Sequence, residues 1–509
     1  MSDPGVIVQQ RMEQRPQEPV FGEMPAAIIG PIVNVRKEAP YEFKSIDWDE
    51  DENGNKTGVN SIENDTIILS EIDDLVDETN DIEIESIKMI DGRGTREPIT
   101  IDDDFVDVEV GDSDILIKWE DYGVDLVDDL INKFDPMIKE TDLDGAEYLI
   151  DFKEVREDLA DEEAKALEAQ GTVGIQQIVG MHYKDNPMGI AGWLADSVAP
   201  NTAVYFVPTK DYINDDEVDA DSQISLALTK IMNKRVCNVA ALAPDDAGAM
   251  ETIDDLVINH AQMMSDEEES QFRFAWCGIK KPSEDKLDNP KGVLDKKNQE
   301  VDLLTSYTQS VYERKSAIMF QGATFDLLDE DDVHLNSSYL AAMTAVFKSS
   351  IRPEQGMTRL NVGSPIKELD YKDRYRPSRE AELSKGGVWV WKQDNPGENI
   401  RCRHQMTTNT LNNRTRQQSV QATLDYISYA FMDTLDLSIG INNVSAGLVD
   451  NVRLTSELLI ATLIDDGKLR SGSQILEVYE DPNNASRIRV KAELVIPSPL
   501  DQIVVTLVF

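Results

Sequence analysis

Residues 236–279 read VCNVAALAPDDAGAMETIDDLVINHAQMMSDEEESQFRFAWCGI, and this stretch decides the fold assignment. The apolar run Val236–Leu242 predicts a buried strand. Met250–Met264 predicts a helix because its apolar side chains recur every three or four positions. Phe272–Ile279 predicts a second strand. A strand, a helix and a strand at this spacing are typical of a βαβ unit in a mostly parallel sheet.

The alternation of strands and helices continues on both sides of this unit. Further elements are predicted at Val204–Val207 (strand), Ser222–Lys234 (helix), Val301–Arg314 (helix), Ala317–Gln321 (strand) and Ser337–Lys348 (helix, with Ser337 as N-cap). We therefore assign residues 171–350 to a central α/β domain.

The N-terminal part of the chain has a different pattern. Residues 1–24 are interpreted as an arm with one short strand, formed by Gly5, Val6, Ile7 and Val8. Residues 25–39 contain an apolar strand that leads into the core. Residues 40–170 combine short strands with acidic turns and are assigned to an acidic β-rich domain, with a helical pattern at Glu154–Gln170. The clearest strand is Asp81–Ile87 (DIEIESI), whose alternation suits a half-solvated sheet.

The charge is concentrated in the same region. The 509-residue chain has 97 acidic and 49 basic side chains and a net charge of −48. Residues 1–170 hold 48 acidic and 15 basic side chains, whereas residues 370–509 hold 18 and 16. Such a surface repels phosphate backbones and anionic lipids, so neither nucleic acid nor a membrane surface is expected as a partner.

Processing and compartment follow from what the sequence lacks. No run of eighteen apolar residues occurs, so no membrane span is predicted. No secretion signal is predicted at the N-terminus. Cys237, Cys277 and Cys402 form no disulfide framework or metal spacing, which favours synthesis in a reducing cytoplasm.

Residues 351–509 form the C-terminal domain, which ends in two predicted strands. In Ile488–Ile496 the residues Ile488, Val490, Ala492, Leu494 and Ile496 face one way, opposite Arg489, Lys491 and Glu493. The last segment, IVVTLVF, is apolar on both faces and contains Ile503, Val504, Val505, Leu507, Val508 and Phe509. It is either a central strand of its own sheet or a strand that completes the sheet of another subunit.

Motifs for chemistry are few. Asp49, Asp51, Asn53 and Gly54 match the opening half of a calcium-binding EF-hand loop, but the twelfth position is Asn60 instead of the required Glu. The alternative is an acidic hairpin tip with Asn53-Gly54 as its turn. Phosphate-binding and hydrolase motifs are absent from the sequence, so we expect no enzymatic activity and no cofactor.

Basic side chains cluster near the start of the C-terminal domain. The cluster comprises Lys372, Arg374, Arg376, Arg379, Arg401 and Arg403. Either these side chains pair with the chain's own carboxylates, or they dock an acidic partner such as a neighbouring subunit.

Several C-terminal motifs, in this order, resemble the sheath proteins of contractile phage tails. They are Ser378–Glu382 (SREAE), Gly386–Val388, Trp391, His404–Asn409 (HQMTTN), Leu424–Ile427 and the terminal strand. Upstream, Met24–Gly30 (MPAAIIG) and Tyr339–Ala345 (YLAAMTA) are also similar to that family. No Pro-Pro-Ser loop precedes Tyr339, which departs from many sheaths.

The resemblance implies an α+β multidomain structural protein of the virion tail. Its copies would form stacked hexameric rings around a tail tube, in contact with baseplate and tail terminator proteins, and contraction would drive the tube through the host envelope for genome ejection. The arm from Gly5 and the strand Ile503–Phe509 would extend the sheets of neighbours, with Ile488, Val490, Leu494 and Ile496 on the receiving strand. The alternatives are another viral or surface-layer structural protein, or an α/β enzyme with an acidic module.

Overall fold

The structure is a computed structural model. It describes residues 21–32, the backbone of eleven strands between residues 35 and 170, and residues 186–498 apart from short internal gaps. Strands β1 to β12 span Phe21–Pro31, Val35–Tyr41, Asp49–Glu50, Lys56–Thr57, Ile62–Glu63, Thr66–Ser70, Ile82–Ile90, Ile99–Ile101, Val106–Val110, Asp114–Trp119, Glu147–Glu154 and Leu167–Gln170.

The remaining elements follow in the second part of the chain. Strands β13 to β24 span Ala203–Thr209, Asn238–Ala241, Phe274–Gly278, Ser316–Met319, Ala323–Phe325, Val333–Leu335, Asn361–Val362, Ile366–Leu369, Trp391–Lys392, Ile400–Cys402, Gln474–Glu480 and Ile488–Glu493. Helices α1 to α8 span Pro187–Val198, Ala220–Lys230, Ala247–Met264, Val293–Val311, Ser337–Ser350, Pro377–Lys385, Gln418–Asp436 and Ala446–Asp465.

A six-stranded sheet forms the centre of the protein, in the order β12-β13-β1-β14-β15-β16. The strands from β13 to β16 run parallel, and only β12 at the edge is antiparallel. The predicted mixed α/β architecture with βαβ units is therefore confirmed. The central strand is β1, which begins at Phe21, inside the segment that the sequence assigned to the arm.

Helices cover both faces of this sheet. Ala26 and Ile28 of β1 face one core, together with α1 and α5, while Ala27 and Ile29 face a second core with α2, α3 and α4. All four side chains are fully buried, which explains why the strand has no polar alternation. Helix α5 has Asn336 as its N-cap, one residue before the predicted Ser337, because the Asn336 side chain accepts from the Ser338 N–H.

Two four-stranded antiparallel sheets, β5-β6-β10-β9 and β2-β11-β7-β8, are built from residues 35–154. The alternating segment DIEIESI lies in β7, which pairs with both β11 and β8. The expected helical pattern at Glu154–Gln170 is wrong at its end, because Leu167–Gln170 pairs with β13 as strand β12. That these sheets form a separate acidic outer domain stays a prediction.

Helix α7 packs beside the central sheet. Ala422 and Tyr429 of this helix pack with Met24 and Cys237, beside β1 and β14. Helix α8 and the two-stranded sheet β23–β24 then pack against α7. Helix α8 begins at Ala446, where the Ser445 side chain accepts from the Leu448 N–H as N-cap.

Candidate assembly surfaces

Strands β23 and β24 form a ribbon with two unpaired edges. Among the strands that the structure describes, each of them pairs only with the other, in antiparallel register from Gln474↔Glu493 to Glu480↔Ile488. An unpaired edge presents a row of main-chain N–H and C=O groups that another strand can bind. The ribbon therefore offers the main-chain groups that strand addition requires, and its role as the receiving sheet stays a prediction.

The predicted alternation along β24 is observed. Ile488, Val490 and Ala492 are half-buried, while Arg489 and Lys491 between them are exposed. The half-buried face lies toward α7 and α8 and extends past the strand to Leu494 and Ile496. One-sided burial fixes the register of the strand, because a slip of one residue would expose the apolar set.

The inner face of the ribbon packs on the helices beneath it. Ile427, Ile460, Leu463 and Leu469 form a buried cluster, to which Leu494 and Ile496 add. Val478 of β23 is 4% exposed and pairs with Val490. A rigid ribbon binds an added strand with little loss of conformational entropy.

The two edges of the ribbon differ in regularity. In β23 the register shifts between Ile475 and Glu477, so Leu476 is an extra, unpaired residue, and its side chain is 43% exposed. Such a bulge bends a strand and interrupts its edge. Strand β24 has no such shift, and its edge is the straighter template for strand addition.

The loop between the strands is fixed by Asp481. Its carboxylate accepts hydrogen bonds from the Asn483 N–H at 3.0 Å and from the Arg489 guanidinium at 2.7 Å. These hydrogen bonds lower the pKa of Asp481. The turn is therefore held by an ionised carboxylate at neutral pH.

The proposed donor strands lie outside the described residues. These are Gly5, Val6, Ile7 and Val8 of the arm, and Ile503–Phe509 at the C-terminus. Lys372, Arg374, Asp51 and Asn53 also lie outside them. Their roles stay predictions.

The candidate calcium segment is flanked by strands. Asp49 pairs with Thr57 and Glu50 with Lys56, so β3 and β4 form a hairpin around residues 51–55. An EF-hand loop is flanked by helices, whereas this segment lies between two paired strands. The calcium site at Asp49, Asp51 and Asn53 stays a prediction. The part of the chain that the structure describes holds no cluster of three His, Cys, Asp or Glu side chains suited to a metal ion.

The basic side chains around α6 lie together, and three of them pair with carboxylates of the chain. Arg379 pairs with Glu382, and Arg401 with Asp394. Arg403 donates to Glu380 at 2.9 Å and to the Pro377 carbonyl at 3.2 Å. The internal ion pairs considered from the sequence are thus present, although Arg379 and Arg401 stay about one-third exposed, at 31% and 37%.

Two cavities adjoin these side chains. One, of about 330 Å³, is lined by Val293, Leu294, Lys297, Tyr375, Arg376 and Arg379. The other, of about 370 Å³, is lined by Arg359, Lys392, Arg401, Cys402, Arg403 and His404. Arg359 and Lys392 have no local sequence signal, because they reach this cavity only through the pairing of β21 with β22 and the hydrogen bond from the Arg359 N–H to the Cys402 carbonyl.

No helix among the described residues is long and apolar enough to cross a membrane. No family model matches the sequence, and no curated protein matches it. Similarity is found among solved structures. The contracted helical sheath of the anti-feeding prophage is similar at 12% identity and a TM-score of 0.50, covering 68% of this chain and 88% of that one.

Two further solved structures are similar at lower scores. One is the contracted sheath of the extracellular contractile injection system PVC, at 11% identity and a TM-score of 0.48, covering 68% of this chain and 88% of that one. The other is a sheath tail protein from Desulfitobacterium hafniense, at 10% identity and a TM-score of 0.43, covering 94% of this chain and 98% of that one. The prophage comparison shows that the chain has the fold of a contractile sheath protein, which confirms the resemblance found in the sequence at the level of the fold.

Proposed function

We propose that this protein is the structural subunit of a contractile tail sheath. Its copies polymerise as stacked hexameric rings around a tail tube, and contraction drives the tube through the host envelope. The observation that carries the proposal is the sheath fold together with a β23–β24 ribbon whose outer edges pair with no other strand that the structure describes. The role is structural and needs no cofactor.

Strand exchange links the copies in this proposal. Strand Ile503–Phe509 of one copy and the arm from Gly5 to Val8 of another add to the ribbon of a third. On the receiving strand and just after it, the half-buried side chains of Ile488, Val490, Leu494 and Ile496 form the inner face, and Leu494 and Ile496 pack against the helices. Main-chain hydrogen bonds then persist while whole subunits rotate, so contraction proceeds without loss of the links.

Contraction uses energy stored during assembly. The extended sheath is metastable and is held by the baseplate, a tail terminator and contacts to the tube. Release allows the subunits to pack more tightly, and the free energy of the new interfaces drives the motion. The contacts are heterologous, so they propagate as a helix instead of closing into a small ring. The site of action is the virion tail, after synthesis in the host cytoplasm.

The charge distribution suggests an orientation. Residues 370–509 are nearly neutral and would face the tube, whereas the acidic residues 40–170 would face outward. Lys372, Arg374, Arg376, Arg379, Arg401 and Arg403 would then dock the tube or a neighbouring copy. A filament reconstruction with the acidic segment lining the lumen would contradict this orientation.

Electron microscopy of the purified chain tests the assembly directly. Wild-type protein should form hollow tubes. Deletion of residues 1–12 should give folded monomers without tubes, and normal tubes from this variant would refute the role of the arm.

Proline substitutions test the C-terminal strand more sharply. Successive N–H groups in a strand point to opposite sides, so either Val504→Pro or Val505→Pro must remove a hydrogen bond to the receiving strand. One of the two should abolish tubes, while Val504→Thr and Val505→Thr, which keep the N–H, should assemble. Normal tubes from both proline variants would contradict strand donation.

A further inference from the structure

The cavity lined by Arg359, Lys392, Arg401, Arg403 and His404, here called the arginine cleft, has a surplus of positive charge. It is built from three segments. Antiparallel pairing of β21 and β22 places Lys392 opposite Arg401. The Arg359 N–H donates to the Cys402 carbonyl at 2.7 Å, which brings residue 359 to the same strand.

Arg359 has an unusual backbone conformation. Its φ angle is +61°, in the left-handed region that residues other than glycine rarely adopt. Its side chain is exposed, and it makes no ion pair or hydrogen bond with any residue that the structure describes. Strained backbone of this kind often occurs where a side chain is positioned for binding.

The other three cations of the cleft, Lys392, Arg401 and Arg403, pair with two carboxylates. Asp394 accepts from both Lys392, at 3.3 Å, and Arg401. Glu380 accepts from Arg403 at 2.9 Å. Among the residues that the structure describes, two carboxylates therefore pair with three of the four cations, and the six groups together carry a charge of +2 before His404 is counted. A concave site with such a surplus concentrates anions, and it does so within a chain of net charge −48.

We propose that the arginine cleft receives a side-chain carboxylate from a second copy of this chain. Guanidinium groups match the planar geometry of a carboxylate and bind it with two parallel hydrogen bonds. The chain itself supplies such groups in excess, with 97 acidic against 49 basic side chains. Assembly places them beside neighbouring copies at high effective concentration. The inference rests on the proposed function, because it requires that copies assemble.

Zero-length carbodiimide coupling tests the identity of the occupant. Tubes assembled from a mixture of ¹⁴N- and ¹⁵N-labelled chains should yield mixed-label cross-links between Lys392 and an Asp or Glu, and unassembled chains should not. Coupling of Lys392 to Asp394 of its own chain is the internal control for reactivity. Recovery of that internal product with same-label cross-links alone would overturn the inference.

Charge substitution tests the contribution to assembly. Arg359→Glu should raise the protein concentration needed for tubes by about tenfold or more, as expected for the loss of one charge-assisted pair. Arg359→Lys should restore most of the assembly. The matched control is Arg352→Glu, which makes the same charge change at an exposed arginine outside the cleft. Thermal unfolding of the unassembled variants checks that each one is folded.

The outcomes separate the two levels of the argument. If the wild-type chain forms no tubes, the proposed function fails. If tubes form and Arg359→Glu assembles like Arg352→Glu, only the carboxylate assignment fails. Saturable binding of inorganic phosphate that requires Arg359, without mixed-label cross-links, would overturn the assignment in favour of a free anion.

Discussion

Replacing Asp425 with alanine is expected to destabilise the protein strongly, because it leaves the buried Lys315 ammonium without its counter-charge. Lys315 precedes β16 of the central sheet, and Asp425 lies in α7. Both side chains are only 3% exposed. Asp425 also accepts from the Gln421 amide at 2.8 Å, and the Lys315 ammonium lies 5.4 Å from the centre of the Phe272 ring. This pair fastens the C-terminal helices to the sheet.

The size of the expected loss in unfolding free energy follows from the burial of this ion pair. Breaking a buried ion pair by removing one partner costs about 3–5 kcal/mol, since the remaining charge is poorly solvated. Replacing both partners by apolar side chains of similar size is often neutral. The free energy of unfolding of the double variant Lys315→Met/Asp425→Leu should therefore lie within about 1 kcal/mol of the wild-type value or exceed it.

The same helix offers a matched control. Asp433 pairs with Arg235 at 2.8 Å, but these side chains are 58% and 45% exposed. Asp433→Ala should therefore cost no more than about 1 kcal/mol.

Urea unfolding of unassembled protein, followed by tryptophan fluorescence, measures all three variants. The reasoning is refuted if Asp425→Ala costs as little as Asp433→Ala, or if the double variant is as unstable as Asp425→Ala.

Three further predictions concern other parts of the molecule. Burial lowers the pKa of Lys348 to about 7. Between pH 7 and ~10 the unfolded chain therefore binds a proton that the folded chain lacks. The free energy of unfolding of the wild type should accordingly rise with pH relative to that of the Lys348→Met variant. Urea midpoints of the two proteins that run parallel from pH ~7 to ~9.5 would contradict this. Gly278→Ala should lower the free energy of unfolding by about 2–3 kcal/mol, because the added Cβ would lie 2.4 Å from the Ser338 backbone nitrogen. The control Gly248→Ala, whose Cβ meets only a carboxylate oxygen at 3.3 Å, should change it by less than about 1 kcal/mol. Equal denaturation midpoints for the two variants would exclude the clash. Finally, a chain of net charge −48 should assemble less readily at ~10 mM salt than at ~150 mM, and light scattering that is equal at both would count against charge repulsion between copies.

Local periodicity predicted much of the secondary structure. The βαβ pattern of residues 236–279 corresponds to β14, α3 and β15, and the alternation in Ile488–Ile496 corresponds to β24 and its one-sided burial. In both cases the pattern reports which side chains contact a core, and that is a property of neighbouring residues in the sequence.

Long-range pairing could not be predicted in this way. Strand β1 lies at the centre of the sheet because Ala27 pairs with Tyr205 and Val239, far away in the sequence. Leu167–Gln170 has a helical pattern, yet it pairs with β13, and tertiary contacts override local propensity there.

The residues of the candidate surfaces also differ in whether a local sequence pattern could predict them. The alternation predicted the strand that begins at Ile488, and the family resemblance alone predicted that it receives a strand from another copy. Arg359 and Lys392 have no local signal, and their cleft exists only because β21, β22 and residue 359 meet. The Arg403–Glu380 pair likewise joins the residue after β22 to α6 across 23 positions of sequence.

A cryo-electron microscopy reconstruction of tubes formed by the purified chain tests the central claim most directly. The account predicts that the β24 edge of each ribbon is extended by main-chain pairing with Ile503–Phe509 of another copy. A helical assembly in which both edges of every β23–β24 ribbon stay unpaired would contradict it.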